Sequence, residues 1–140
     1  MARLLLTIAL AGYAILTLRA DLGETHARNP RWRPHARFHV VWQAVTNAAS
    51  VLLGLALIWW PGSMLLARFY LAAVIGGIIL GAFYVTTLAQ SAFGGALRDE
   101  EGEEPLRLKI GALSIVLDTN VVLFTGLAAF LAAAVAITLI

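Results

Sequence analysis

All three histidines of this chain lie within a short stretch, between His26 and His39. His35 and His39 are four residues apart, which places both imidazoles on one side of a helix, one turn apart. Neutral imidazole is a ligand for zinc, for non-haem iron and for haem iron, and it can also carry protons near pH 7. The pair is therefore the first place where this sequence could do chemistry.

Polar side chains continue from the histidine pair along the same predicted helix. Steps of three or four residues from His35 lead to His39, Gln43, Asn47 and Ser50. Apolar residues surround this polar stripe, and an unpaired polar group in hydrocarbon costs on the order of several kcal/mol. We therefore expect the stripe to face the inside of a helix bundle, a cavity or a neighbouring copy. Plain hydrogen bonding between helices would satisfy the stripe as well as a ligand site would.

A metal site would need ligands from outside this helix. His26 with Glu24 or Asp21 could join His35 and His39 to hold zinc or non-haem iron, since imidazole and carboxylate both suit these ions. This ligand set requires the loop before the helix to fold back.

Two polar residues in later apolar runs are further candidates for a site. Tyr84 lies in the third run, and Asp118 is the only acid well inside an apolar run. A carboxylate in a membrane must be paired, hydrogen-bonded or protonated, so it is a functional candidate by default. We expect Arg37 or a histidine as the partner of Asp118. The alternative is that Asp118 caps a helix near the membrane surface.

Four apolar runs must position these residues. Of the 140 residues 61% are hydrophobic and 13% are charged, a composition far outside that of soluble globular domains. The sequence predicts an all-α integral membrane protein, a four-helix transmembrane bundle forming one domain over residues 1–140. The predicted spans are about 3–19, 40–60, 64–90 and 110–138. No cysteine is present, which excludes disulfides and thiolate ligands.

The distribution of Lys and Arg predicts the orientation of the bundle. Most of the positive charges lie in the connections 20–38 and 94–109, which four spans place on the same side of the membrane. By the positive-inside rule both connections are cytoplasmic and both termini face outward. The lipid bilayer, and no nucleic acid, is the expected partner of these charges. The acidic run 99–104 is either a solvated loop or a lid.

Two resemblances carry functional expectations. The segment Asn29–His39 resembles the signature of an uncharacterised family of small four-helix membrane proteins, in which an NP-W-PHA-FH pattern follows the first span. Over the whole chain, the sequence is similar to the styrene oxide isomerase family. These small bacterial membrane enzymes have four helices, bind haem b at a subunit interface of a homotrimer, and rearrange epoxides to aldehydes with ferric haem as a Lewis acid.

The second resemblance rests on particular motifs. An Ala-Arg-x-His sequence opens the second helix of that family and matches Ala36-Arg37-Phe38-His39, which implies that His39 is the axial haem ligand. Asn47 matches a following asparagine, and Ala82-Phe83-Tyr84 resembles a Gly-Phe-Tyr ending of the third helix. The implied role of Asn47 and Tyr84 is substrate orientation. The spacing from histidine to asparagine is two residues longer here, and Gly76 stands where the family has an acid.

These observations favour a haem-binding, isomerase-like enzyme in the bacterial inner membrane. It would act as a homo-oligomer, a trimer by resemblance, on a small lipophilic substrate such as an epoxide. The expected cofactor site comprises His35, Arg37, His39 and Gln43, and the expected catalytic residues are Asn47, Tyr84 and Asp118. The alternatives are a zinc or non-haem iron enzyme using His26, His35, His39 and Glu24, and a non-catalytic membrane protein that serves packing or transport.

Overall fold

The computed structural model describes residues 1–97, 104–111 and 113–139, with the backbone only at residue 110. The described chain is mostly helical and contains one small two-stranded sheet. The elements, in chain order, are α1 (Ala2–Asp21), α2 (Pro34–Trp59), α3 (Leu65–Ala89) with a 3₁₀ turn (Gln90–Phe93), β1 (Leu106–Ile110), β2 (Leu113–Leu117) and α4 (Thr119–Ile137).

Each of the four α-helices is long and apolar enough to cross a membrane. Pro34 stands in the first turn of α2, where its missing N–H costs no hydrogen bond. Residues 60–64 join α2 to α3 and include Gly62 at φ 146° and Met64 at φ 59°, so this short link reverses the chain. The prediction of four helices of membrane-spanning length is confirmed.

The four helices form a four-cornered bundle. α1 packs against α2 and α4, and α3 packs against the same two helices, so α2 and α4 occupy opposite corners. Leu6 and Leu10 of α1 are fully buried in the core. A Cβ at Gly54 would lie 2.9 Å from a methyl carbon of Leu10, and one at Gly76 would lie 3.0 Å from the other methyl carbon. These two glycines therefore let α2 and α3 close around Leu10.

The fourth apolar run differs from the prediction of a helix over 110–138. Its first part belongs to an antiparallel hairpin in which Leu106 pairs with Leu117 and Ile110 with Leu113. Gly111, which follows β1, has a φ of 62°, a conformation that favours glycine. The helix itself begins only at Thr119. Leu-Arg-Leu-Lys alternates apolar and polar side chains with the period of a strand, and this local pattern prevails over the hydropathy of the run.

Candidate functional site

The connection between α1 and α2 is folded into a compact support for the start of α2. The buried side chain of Asn29 accepts a hydrogen bond from the Arg31 amide at 2.9 Å, which closes a turn at Pro30. The His26 ring packs edge-on against Trp32 with 5.0 Å between ring centroids, and its Nδ1 lies 2.9 Å from the Thr25 hydroxyl. The first half of the NP-W-PHA-FH signature is therefore used to build the loop.

Arg37 ties this loop to the first turn of α2. Its Nε donates to the Trp32 carbonyl at 3.0 Å and a terminal nitrogen donates to the Pro30 carbonyl at 3.3 Å. Guanidinium is suited to this task because its fork of N–H groups can reach two acceptors at once. In the structure Arg37 therefore clamps the loop, and it is not an ion-pair partner of Asp118.

His35 and His39 form a pair on the exposed side of α2. Their Nε2 atoms lie 3.1 Å apart, and their rings meet edge-on with centroids 4.5 Å apart. As a hydrogen bond, this contact requires a proton on one Nε2 and a lone pair on the other. Two nitrogens bound to one tetrahedral zinc ion are about 3.3 Å apart, and the distance between the two Nε2 atoms is close to this value. The geometry thus suits either a shared proton or a shared metal ion.

Two exposed aromatic side chains, with ring centroids 6.2 Å apart, lie together beside the His39 ring. Phe38 and Trp42 each lie 5.9 Å from it between ring centroids, and both are more than half exposed. The pair and its aromatic neighbours therefore lie on the outer face of the bundle, where a ligand or a second copy could reach them.

The polar stripe winds around α2 and does not keep to one face. Four residues turn an α-helix by about 400°, so each four-residue step moves the stripe by about 40°. His39 and Gln43 are exposed, whereas Asn47 has turned far enough to donate from Nδ2 to the Tyr13 hydroxyl of α1 at 2.8 Å. The Ser50 hydroxyl donates to the Thr46 carbonyl of its own helix. The stripe thus begins outside the bundle and ends inside it.

The three predicted catalytic residues make separate contacts within one copy. Asn47 joins α2 to α1, while the Tyr84 hydroxyl donates to the Thr125 hydroxyl at 3.0 Å and joins α3 to α4. Asp118 is the N-cap of α4, where one carboxylate oxygen accepts from the amides of Asn120 and Val121 at 2.9 and 3.2 Å. The expectation that Asp118 lies inside a span is wrong, because the helix starts one residue after it. The capping alternative describes its place.

The four-residue metal site also lacks support from the fold. Among the described residues, no group of three or more His, Asp or Glu side chains is arranged to hold a metal ion. The loop orients His26 towards Thr25 and Trp32, so only His35 and His39 of the proposed set come together. Most of the acidic run, residues 99–103, lies outside the described residues.

Nothing matches this chain in comparisons with protein-family models, curated proteins and solved structures. The candidate site is therefore argued from its own geometry and from the motifs of the sequence.

Sequence reasoning missed the residue that receives Asn47. Tyr13 is a buried tyrosine of α1, and its ring lies 5.7 Å from Phe124 of α4, which in turn meets Phe83 of α3 at 4.4 Å. Tyr13, Asn47, Phe83 and Phe124 thus connect all four helices. A lone tyrosine in the middle of the first apolar run was the available signal, since a buried phenolic hydroxyl requires a partner.

Proposed function

We propose that this chain is an integral membrane protein of the bacterial inner membrane, with connections 20–38 and 94–109 in the cytoplasm and both termini outside. Four apolar helices of spanning length support the membrane assignment. The excess of Lys and Arg in the two connections supports the orientation. His35 and His39 then lie near the cytoplasmic surface of the membrane.

The protein is proposed to act as a homo-oligomer, a trimer by resemblance. Gln43 lies more than two turns inside α2 and is exposed, and among the described residues its side chain has no hydrogen-bond partner. In a bilayer that amide requires a partner from outside the chain. A neighbouring copy of α2 supplies one, and it also covers the histidine pair.

Within this assembly we propose a haem b site with His39 as the axial ligand, in an isomerase-like enzyme that acts on a small lipophilic substrate such as an epoxide. The observation that carries this proposal is the exposed imidazole of His39 beside the neighbouring rings of Phe38 and Trp42 on the outer face of α2. Imidazole suits haem iron, and flat aromatic side chains suit the edge of a porphyrin. A haem in such a site would supply Lewis-acid chemistry to the bound substrate.

The residues of the chain have distinct roles in this proposal. His39 would hold the haem, and ligation through its Nε2 would replace the present contact with His35. Phe38 and Trp42 would shield one side of the His39 ring when haem is bound. Asn47 and Tyr84 orient the substrate by resemblance, which requires exchange of their hydrogen bonds to Tyr13 and Thr125. The carboxylate of Asp118 caps α4, and this proposal assigns it no catalytic role.

The absorption spectrum of the purified protein tests the haem site. After expression with added haem, we expect a Soret band that His39→Ala removes and His26→Ala retains. His26 is the matched control, because it is a histidine of the same segment whose ring is held by Trp32. A colourless protein, or a band that survives His39→Ala, would overturn this proposal.

A second candidate is a zinc or non-haem iron site, and the 3.1 Å separation of the two Nε2 atoms favours it. His35 and His39 would provide two ligands from each copy, with no contribution from His26 or Glu24. Elemental analysis separates the candidates. A shared metal ion is lost with either His35→Ala or His39→Ala, whereas the haem site depends on His39 alone. Absence of both haem and metal would favour the non-catalytic alternative.

A further inference from the structure

The hairpin before α4 has two chemically different faces. The register places Leu106 opposite Leu117 and Leu108 opposite Ile115, so aliphatic side chains share one face. Arg107 opposite Val116 and Lys109 opposite Ser114 form the other face. Four leucines of the aliphatic face remain more than a third exposed: Leu106 at 42%, Leu108 at 45%, Leu113 at 60% and Leu117 at 37%.

An aliphatic face of this kind requires a covering. A single two-stranded hairpin is at best marginally stable in water, because too little apolar surface is buried between its strands. The described ends of the preceding loop lie near the other face, where Val116 shares an open cavity of about 420 Å³ with Ala96, Leu97 and Pro105. None of the described residues covers the leucine face in this way.

The hydrocarbon of a bilayer cannot hold the hairpin either. The sheet has two strands in the described part of the chain, so the N–H and C=O groups on the outer edge of each strand have no strand partner there. Such edges do not occur in contact with lipid tails, where no water is present to satisfy them. Full exposure to water would leave the leucines uncovered, and full burial in hydrocarbon would leave the edge N–H and C=O groups without partners. A position at the boundary between water and hydrocarbon satisfies both requirements.

The attachment of the hairpin to α4 fixes it near such a boundary. Asp118 alone separates β2 from α4. The Thr119 hydroxyl donates to the Glu104 carbonyl at 2.6 Å, which ties the base of the hairpin to the first turn of α4. The hairpin therefore cannot move far from the level at which the spanning helix begins.

We infer that the hairpin Leu106–Leu117 lies flat in the bilayer interface. Its leucine face is turned towards the lipid tails, where the polar headgroups end, and its Arg107/Lys109 face is at the level of the phospholipid phosphates. The two cations complement the phosphates in charge, and their long stems let the charged groups reach them. The inference rests on the proposed membrane assignment and is independent of any haem or metal.

Site-directed spin labelling can test this arrangement cleanly, because the chain contains no cysteine. Leu108→Cys and Leu113→Cys place labels on the leucine face, and Val116→Cys is the matched control on the opposite face. Val74→Cys, on an exposed site of α3, reports on the membrane assignment itself. The full-length variants are reconstituted into phosphatidylcholine vesicles, and label collisions with oxygen and with a water-soluble nickel chelate are measured.

We expect labels at Leu108 and Leu113 to favour oxygen and to lie about 5–10 Å deeper than the label at Val116, which should favour nickel. Adding phosphatidylglycerol should deepen the leucine-face labels, and Arg107→Gln with Lys109→Gln should abolish that increment. Equal nickel access on both faces, with an oxygen-favouring label at Val74, would overturn the inference while the membrane assignment stands. Dipolar broadening between Leu113 labels would overturn it in favour of a second copy. A nickel-favouring label at Val74 would overturn the membrane assignment.

Discussion

Two of the long apolar helices of this protein, α2 and α4, are preceded by contrasting segments. The segment before α2 is an irregular loop held by side-chain hydrogen bonds, chiefly those of Asn29 and Arg37. The segment before α4 is a hairpin held by a backbone ladder. Pro30 and Pro34 disfavour a ladder in the first segment, whereas the alternation from Leu106 to Lys109 and the glycine at position 111 favour one in the second.

The two segments also differ in what they leave available for chemistry. At α4, Asp118 caps the helix, Thr119 binds the Glu104 carbonyl and Asn120 approaches the Leu97 carbonyl at 3.5 Å, so the polar side chains serve the fold. At α2, the polar side chains of Asn29 and Arg37 hold the loop, whereas the imidazoles of His35 and His39 are exposed and, among the described residues, hydrogen-bond only to each other. Chemistry is therefore expected at α2, and attachment at α4.

Replacing an arginine should reveal the largest difference between the loop before α2 and the hairpin, measured as a loss of stability. Arg37→Ala removes two charge-assisted hydrogen bonds to backbone carbonyls, and we expect a loss of about 1.5–3 kcal/mol in the stability of the loop. The matched control is Arg107→Ala, since Arg107 is exposed on the hairpin, where a change within about 0.5 kcal/mol is expected. Amide hydrogen exchange of residues 22–33, measured in detergent, reports the stability of the loop in both variants. Equal effects would contradict the clamp assigned to Arg37.

A smaller effect should distinguish a cap from a catalytic acid at Asp118. Asp118→Ala removes the acceptor for two amides of α4 and should destabilise the helix by about 1 kcal/mol. Asp118→Asn keeps a good cap and should restore stability to within a few tenths of a kcal/mol. Thermal unfolding in detergent measures the stability of both variants, and turnover or ligand binding measures whether the carboxylate of Asp118 is needed for activity. A stable Asp118→Asn protein that has lost its activity would return Asp118 to the catalytic site.

The outline of the fold was accessible from hydropathy, because four long apolar runs separated by polar segments have few other solutions. The start of α4 could not be predicted from hydropathy, since residues 110–117 are as apolar as the helix that follows and a hydropathy average over a window merges the two. The alternation from Leu106 to Lys109 and the glycine at the turn carried the missing signal. In the candidate site, the spacing of His35 and His39 predicted their pairing. The partners of Asn47 and Tyr84 depend on how four helices pack, which single-sequence patterns do not encode.

The smallest expected effect concerns the tie between the hairpin and α4. Thr119→Val keeps the shape of the side chain but removes the hydroxyl that donates to the Glu104 carbonyl. This hydrogen bond is exposed, so its loss should cost about 0.5 kcal/mol and leave global unfolding almost unchanged. The cost should instead show locally, as roughly twofold faster amide exchange in β1, with exchange in the loop before α2 unaffected. Thr86→Val on the exposed side of α3 is the control. Unchanged exchange in β1 would mean that the backbone ladder and Asp118 hold the hairpin without this tie, while faster exchange in both the hairpin and the loop would show that the two segments are coupled.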